Sequence, residues 1–376
     1  MAKKIIVSVT TDLVTDQRVH KVCNSLCSAG YNVVLAGRKK KDSLSLNKRP
    51  YNVYRFSLFF ENGFLFYMSY NIRLFFFLLF SRADILVAND LDTLLPNYLI
   101  SKFKGIPLAY DNHEYFTGVP ELSNRPFVRG VWKIIERSVF PRLKYAYTEN
   151  ESKRKLFEDE YKVPLLVIRN FPVRLPEKPI SIKRPEWIGD RKIILYQGAI
   201  NRDRGIEEMV EAMQYLDGFV FLIIGSGDLY DTIKNKILHL GLNNKIRMLG
   251  LIPFDDLPKY TSVADIGISI EKDTNISYRY CLPNKVFDYI NAGVPVLVST
   301  LIEMKLIVDK YNIGTFIHSH EPKEIANTIK NIFSNHDKFN LWKANLAIAA
   351  KELSWENEEK VLLSLYSKIS AEITGQ

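Results

Sequence analysis

Residues 281–300 of the chain, CLPNKVFDYINAGVPVLVST, predict a loop, a short helix, a tight turn and a buried strand, in that order. Pro283 ends the loop, and Asn284 is of a residue type that caps helices. Gly293 stops the helix before Pro295 and the apolar strand that follows. The apolar face of the helix consists of Val286, Phe287 and Ile290. Helices that alternate with buried strands are typical of α/β proteins.

The N-terminus of this short helix is a predicted anion site. Unpaired backbone N–H groups and the positive end of the helix dipole lie there, and Lys285 adds a charge in the first turn. Asp288, one turn later, can accept hydrogen bonds from sugar hydroxyls. The alternative interpretation is an ordinary helix before an ordinary strand, with Lys285 solvated and Asp288 at the surface.

The composition is that of a globular protein of 376 residues, which is long enough for two domains. Its three cysteines cannot form a disulfide framework, which favours a reducing compartment. The N-terminal sequence enters a strand without the apolar core of a signal peptide, and no metal-binding motif is present. We therefore expect a cytoplasmic protein without a metal cofactor.

All of the excess positive charge lies in the first half. Residues 1–172 contain 26 Lys and Arg against 16 Asp and Glu, a net charge of +10, whereas the remainder contains 25 against 26, a net charge of −1. This asymmetry suits an acidic partner, and the candidates are anionic lipid, phosphate and nucleic acid. Because the sequence contains no recognised nucleic-acid-binding module, we expect no nucleic-acid partner.

The first half begins with a β-α-β unit, and two later strands, 83–90 and 107–111, are followed by polar residues. The carboxyl ends of parallel strands meet in one crevice, where ligands bind. The candidate acceptor-side residues there are Arg18, Asp90, Asp92 and Glu114. His113 is the histidine of this cluster and is interpreted as functional, with a structural histidine as the alternative. The alternative for Arg18 is a solvated residue on a surface helix.

The segment 49–82 is unusually aromatic and includes FSLFFENGFLFYMSYNIRLFFFLLF at residues 56–80. The run 63–80 is long enough to cross a bilayer, but Asn71 and Arg73 interrupt its centre, so we do not predict a transmembrane helix. Two interpretations remain open. The helix either places an exposed apolar and basic face on a membrane, or is fully buried in the core.

Pro and charged residues replace the apolar pattern at 173–190, which predicts a linker. A second series of β-α-β units follows, with a strand that ends at Gly198 and a glycine turn at Gly225 and Gly227. We therefore predict an α/β fold with three parts. These are an N-terminal acceptor-binding domain at 1–172, a nucleotide-sugar-binding domain at 173–355 and a terminal helix at 356–376 that packs on the first domain.

The sequence resembles the group 1 (family-four) retaining glycosyltransferases, which have the GT-B fold of two Rossmann-like domains facing across a cleft. The resemblance covers nearly the whole chain and is strongest in YQGAINRDRGIEEMVEAM at 196–213, IIGSGD at 223–228 and LPNKVFDYINAGVPV at 282–296. In the first half, DNHEYFTGVPEL at 111–122 resembles uncharacterised bacterial members.

The resemblance implies three catalytic residues. Arg204 and Lys285 would meet the donor diphosphate, and His113 would lie beside the reacting sugar. The arginine usual after the first glycine is absent, because Ala199 stands there, and Arg202 is the candidate substitute. Since both cations are expected at a cleft, we expect their replacement to change folding little.

The family also pairs two glutamates. One corresponds to Asp288, but the other falls on Tyr280, which leaves the sugar contact to Glu271 or to the backbone of 282–284. The predicted donor-binding residues are Gly198, Arg202, Gly225, Gly227, Glu271, Leu282, Pro283, Asn284 and Asp288.

The resemblance implies a metal-independent retaining hexosyltransferase. It would move a sugar from a nucleotide sugar to a glycan or lipid-linked acceptor, in bacterial surface polysaccharide synthesis, as a peripheral protein on the inner face of the membrane. Two alternatives remain, a nucleotide-sugar epimerase and a degenerate, non-catalytic homologue that serves as a partner subunit. Ala199 and Tyr280 favour the second alternative.

Overall fold

The computed structural model describes residues 2–14, 16–41, 43, 45–119, 122, 125–174, 184–254 and 256–375. The chain divides into two compact units. Unit 1 comprises Met1–Asn170 and Asn357–Gln376, and unit 2 comprises Phe171–Glu356.

Unit 1 contains a parallel sheet of seven strands in the order β3-β2-β1-β4-β5-β6-β7. The strands are β1 (Lys4–Asp12), β2 (Asn32–Lys39), β3 (Asn52–Ser57), β4 (Ile85–Asn89), β5 (Leu108–Asn112), β6 (Tyr145–Thr148) and β7 (Leu166–Val167). The helices are α1 (Gln17–Ser28), α2 (Gly63–Phe80), α3 (Leu91–Lys104), α4 (Pro126–Val139) and α5 (Glu151–Tyr161). Every residue of β4 and β5 is buried, as expected for strands covered on both faces.

The strand order of unit 1 changes direction between β1 and β4. In open α/β sheets the carboxyl ends of the strands at such a switch point form the ligand-binding crevice. The polar residues predicted at the ends of these strands, Asp90, Asp92, His113 and Glu114, therefore lie at the edge of the sheet where open α/β folds bind their ligands.

Helix α2 is buried along one stripe only. Its buried side chains recur at intervals of four residues, and they are Phe66, Tyr70, Leu74 and Leu78. Phe64 is 64% exposed and Phe80 is 82% exposed. The interpretation of a fully buried core helix is therefore wrong. Within the described part of the chain, α2 is also the one helix that is long and apolar enough to cross a membrane by length and composition.

Unit 2 contains a parallel sheet of six strands in the order β10-β9-β8-β11-β12-β13. The strands are β8 (Lys192–Gln197), β9 (Phe219–Ile224), β10 (Ile246–Gly250), β11 (Ile266–Ser269), β12 (Val296–Ser299) and β13 (Gly314–Ile317). The helices are α6 (Ile206–Ala212), α7 (Tyr230–His239), α8 (Leu257–Thr261), α9 (Ile276–Arg279), α10 (Asn284–Asn291), α11 (Ile302–Tyr311), α12 (Pro322–Ser334) and α13 (His336–Glu352). Here the switch point lies between β8 and β11.

The stretch 281–300 forms α10, a turn and β12. Asn284 is the first helical residue, and Pro283 is the N-cap without a side-chain hydrogen bond, so the predicted capping by Asn284 is wrong. Gly293 has a φ of 71°, as a helix-ending glycine requires. The buried ring of Tyr289 packs on Gly267 of β11, where a Cβ would lie 2.4 Å from the ring.

The last helix, α14 (Trp355–Thr374), begins in unit 2, and the rest of it belongs to unit 1. Its side chains Leu362, Tyr366 and Ile369 are buried, and the Tyr366 hydroxyl lies 3.4 Å from that of Tyr147 in β6. The helix therefore closes the core of unit 1. Both units are α/β, as the sequence predicted.

Candidate functional site

A buried cluster of charges lies at the switch point of unit 2, two residues beyond the end of β11. Glu271 is completely buried, and its Oε1 accepts a hydrogen bond from Lys285 Nζ at 2.7 Å. The same oxygen lies 3.4 Å from Arg204 Nη1, while Ser269 Oγ donates to Oε2 at 2.8 Å. Three residues that are far apart in the sequence, and that the sequence assigned to the donor site, therefore meet.

The charges of this cluster stabilise one another. Burial alone would raise the pKa of Glu271, but Lys285 and Arg204 outweigh it, and the pKa is lowered. Burial alone would lower the pKa values of Lys285 and Arg204, but Glu271 raises both above their ordinary range. All three groups are therefore ionised at neutral pH. The interpretation of Lys285 as a solvated residue is wrong.

The two cations also lie over aromatic rings. Lys285 Nζ is 4.1 Å from the centre of the Tyr196 ring, and Arg204 Cζ is 4.9 Å from that of Tyr278. Arg204 Nε is buried without a hydrogen-bond partner. Two cations share one carboxylate, so the cluster carries a net charge of +1 and an unused N–H donor, which suits an anionic ligand.

The three glycines assigned to donor binding pack two loops together. Gly225 has a φ of 141°, and a Cβ there would lie 1.9 Å from the Gly198 carbonyl oxygen. A Cβ at Gly227 would lie 2.3 Å from Asn201 Oδ1. A Cβ on Gly198 would lie 3.4 Å from Lys285 Cε. These glycines therefore allow close backbone approach beside the charge cluster.

The N-terminal region of α10 contains the remaining predicted donor residues. Leu282 is buried, Pro283 is half-buried and Asn284 is exposed. Asp288 is half-buried, and its Oδ2 accepts a hydrogen bond from Gln197 Nε2 at 2.8 Å. Asp288 therefore contacts the carboxyl end of β8 and is only partly exposed to solvent.

The two departures from the family pattern lie nearby in unit 2. Arg202 is exposed on the loop after β8, and its carbonyl accepts a hydrogen bond from the Tyr278 hydroxyl at 3.1 Å. Tyr280 is half-buried and is the C-cap of α9. The buried carboxylate beside the two cations is instead Glu271.

In unit 1, Arg18 is buried and holds the end of β5. Its Nη2 and Nε donate to the two carboxylate oxygens of Asp111 at 2.7 and 3.1 Å, and Nη1 donates to the Ile168 carbonyl at 2.9 Å. The interpretation of Arg18 as a solvated surface residue is therefore wrong. Because these three nitrogens all contact protein, Arg18 supports the strand end.

His113 lies between two aspartates at the same edge. Its Nδ1 is 3.0 Å from Asp90 Oδ2, and its Nε2 is 3.6 Å from Asp111 Oδ2. Burial, followed by the nearby Arg18, lowers the pKa of His113 to about 3, so the ring is neutral at physiological pH. Burial, followed by the charge of Glu114, raises the pKa of Asp90.

The other acidic residues of this edge differ in exposure. Asp92 is buried and accepts a hydrogen bond from Thr10 Oγ1 at 2.5 Å, and burial raises its pKa to about 7. Glu114 is exposed. Among the described residues, no group of three or more His, Cys, Asp or Glu side chains has an arrangement that could hold a metal ion.

The sequence did not single out several contributors to these sites. The rings of Tyr196 and Tyr278 face the cations, and Ser269 holds the carboxylate. Tyr196 begins the family-like stretch 196–213 but was assigned no role there, and none of the quoted motifs includes Tyr278 or Ser269. In unit 1, only the fold shows that Asp111 is the carboxylate that binds two nitrogens of Arg18.

Two α/β units, each with a parallel β-sheet and a polar cluster at its switch point, are typical of the GT-B class of proteins. A structure of Anabaena HepE in complex with UDP and glucose has this fold, with a TM-score of 0.74 at 14% identity, and the match covers 97% of this chain and 100% of that one. Residues 177–347 match the family model described as Glycosyl transferases group 1. Unit 2 is therefore a group 1 glycosyltransferase domain, and the predicted resemblance and the GT-B fold are confirmed.

Two curated relatives of the chain are also named as sugar transferases. An uncharacterized glycosyltransferase of Methanocaldococcus jannaschii is 26% identical over 208 residues, which is 53% of this chain and 51% of that protein. The chitobiosyldiphosphodolichol beta-mannosyltransferase of Yarrowia lipolytica is 24% identical over 178 residues, which is 46% of this chain and 37% of that protein. The matched regions thus span about half the length of the first relative and less of the second.

Proposed function

We propose that the protein is a retaining glycosyltransferase that moves a hexose from a nucleotide sugar to a glycan or lipid-linked acceptor without a metal cofactor. The observation that carries this proposal is the pair of cations, Lys285 and Arg204, that share the buried Glu271. The solved relative with UDP and glucose supports a nucleotide-sugar donor. The resemblance to bacterial members favours surface polysaccharide as the product.

The cation pair offers what the departing diphosphate needs. When the bond from the anomeric carbon to the diphosphate breaks, negative charge develops on the leaving oxygen. Lys285, Arg204 and the N–H groups at the start of α10 stabilise that charge. The acceptor hydroxyl attacks from the same face, its oxygen bonds to the anomeric carbon, and its proton passes to the leaving phosphate oxygen. No protein base is required in this reaction. The role proposed for His113 is therefore a contact with the sugar, not the removal of a proton.

We also propose a cytoplasmic protein that binds the inner face of the membrane through unit 1. Exposed apolar side chains of α2 and α3 form one surface, which we call the α2–α3 surface: Phe64, Leu65, Met68, Ile72, Phe76, Phe80, Leu99 and Phe103. An apolar groove of about 230 Å³ lies between the two helices. The exposed Arg73 and Arg82 suit anionic lipid, and the relative named for a dolichol-linked substrate supports a lipid-linked acceptor.

Calorimetry in EDTA tests the donor. We expect at least one member of a panel of UDP-, GDP- and ADP-sugars to bind, because Lys285 and Arg204 offer positive charge to the diphosphate. Absence of binding by every member would remove the transferase proposal. Release of an epimerised nucleotide sugar without acceptor would instead indicate an epimerase, and binding without turnover on any acceptor a non-catalytic subunit.

Liposome co-sedimentation at low salt tests the membrane proposal. Arg73→Glu with Arg82→Glu should weaken binding to anionic vesicles by at least about 2 kcal/mol, roughly 30-fold or more, because each basic residue near an anionic leaflet contributes about 1 kcal/mol and the leaflet repels each introduced glutamate. The matched control is Lys234→Glu with Lys330→Glu, which makes the same charge change at exposed positions of unit 2. Equal loss in both variants, or no binding by the unmodified protein, would exclude the α2–α3 surface as the membrane contact.

A further inference from the structure

The backbone at Asp90 adopts a conformation that residues with side chains rarely adopt. Its φ is 56° and its ψ is 169°, a region populated almost exclusively by glycine. A glycine at this position would avoid the strain. Strained residues concentrate at functional sites, so an aspartate here indicates that its carboxylate has a role.

The carboxylate of Asp90 connects the end of β4 to the residues after β5. Oδ1 accepts hydrogen bonds from the backbone N–H groups of His113 and Glu114, at 3.0 and 3.3 Å. Oδ2 lies 3.0 Å from Nδ1 of the His113 ring. Because backbone N–H groups can only donate, Oδ1 must be the acceptor for both, and Oδ2 is the atom that faces the ring.

The other contacts of His113 leave the ring orientation to Asp90. Lys153 Nζ donates to the His113 carbonyl at 2.6 Å and fixes the backbone. The ring nitrogen Nε2 is buried without a hydrogen-bond partner. The nearest carboxylate, that of Asp111, uses both oxygens to bind Arg18.

We propose that Asp90 is a positioning residue for His113. Its carboxylate accepts a hydrogen bond from Nδ1–H, which fixes the ring orientation and leaves the Nε2 lone pair as an acceptor for a hydroxyl of the bound sugar. This inference rests on the proposed role of His113 beside the reacting sugar. The backbone strain at Asp90 is the cost of holding a carboxylate where glycine would be unstrained.

Asp90→Asn tests the proposal directly. The backbone N–H groups of His113 and Glu114 will again require the oxygen of the side chain, so the amide NH₂ must face Nδ1. An NH₂ group donates, which forces Nδ1 to accept and moves the ring proton to Nε2. We expect turnover to fall about 10- to 100-fold, which corresponds to the loss of one strong hydrogen bond to the sugar, while affinity for the nucleoside diphosphate alone, which lacks the sugar, stays unchanged.

Nitrogen NMR of isotope-labelled histidine reports the tautomer independently of activity. The chain has six histidines, so His113→Gln identifies the signals of His113. We expect the proton on Nδ1 in the unmodified protein and on Nε2 in Asp90→Asn. A proton on Nε2 in the unmodified protein would overturn the proposal, even if no nucleotide sugar is turned over and the proposed function fails.

Two glycine variants compare the loss of the Asp90 side chain with the relief of backbone strain. Asp90→Gly removes both, whereas Lys162→Gly relieves only the milder strain of an exposed helix-end residue with the same φ of 56° but a ψ of 30°, in the ordinary left-handed region. We expect turnover to fall in Asp90→Gly as in Asp90→Asn and to stay unchanged in Lys162→Gly. If Asp90→Gly or Asp90→Asn keeps turnover within twofold, the carboxylate has no positioning role.

Discussion

Lys285→Ala is expected to lower turnover by about 30- to 1,000-fold, which corresponds to about 2–4 kcal/mol of lost transition-state stabilisation. It should also lower the free energy of unfolding by about 3–5 kcal/mol, because it leaves the fully buried Glu271 without its closest cation. This second effect differs from the sequence-based expectation of unchanged folding. Burial of the ion pair is the reason, since Lys285 is 7% exposed.

Two further variants separate catalysis from folding. Lys285→Ala combined with Glu271→Gln removes both charges and should recover part of the stability without activity. Arg204→Ala should lower turnover as much as Lys285→Ala but cost less stability, because Lys285 remains paired with Glu271 and Arg204 is half-buried. Steady-state kinetics and urea unfolding measure the two effects. Turnover within a few-fold of normal in either single variant would remove that cation from the site.

Gly225→Ala is expected to lower the free energy of unfolding by about 3 kcal/mol or more and to weaken nucleotide-sugar binding. The added Cβ would lie 1.9 Å from the Gly198 carbonyl oxygen, so one of the two loops beside Lys285 must shift. Urea unfolding and calorimetry measure the two effects.

Gly218→Ala is the matched control for this variant. Its φ of 77° also disfavours alanine, but a Cβ there meets no atom within 4 Å. We expect a loss of only about 1–2 kcal/mol and unchanged nucleotide-sugar affinity. Equal losses of stability in the two variants would show that backbone strain, and not contact between the loops, explains the need for Gly225.

Local patterns in the sequence predicted the elements around the sites. The apolar run of β4 and the polar residues after it follow each other directly in the chain, so the position of Asp90 at a strand end could be predicted. The same holds for Lys285 in the first turn of α10. The burial of helix α2 could not be predicted from the sequence. Its apolar residues occur all round the helix, so a fully buried helix and a helix with one exposed face have the same pattern.

The sequence alone determined the α/β class and the strand ends that contain the polar residues, and its family resemblance singled out Lys285 and Arg204 as candidate donor-side cations. Only the tertiary structure decided that Lys285 and Arg204 share Glu271, that Arg18 is buried against Asp111, and that Asp90 adopts a glycine-like backbone conformation. Periodicity and turn signals depend on neighbours along the chain. Ion pairs, burial and strain depend on residues that folding brings together, such as Arg18 and Asp111, which are 93 positions apart.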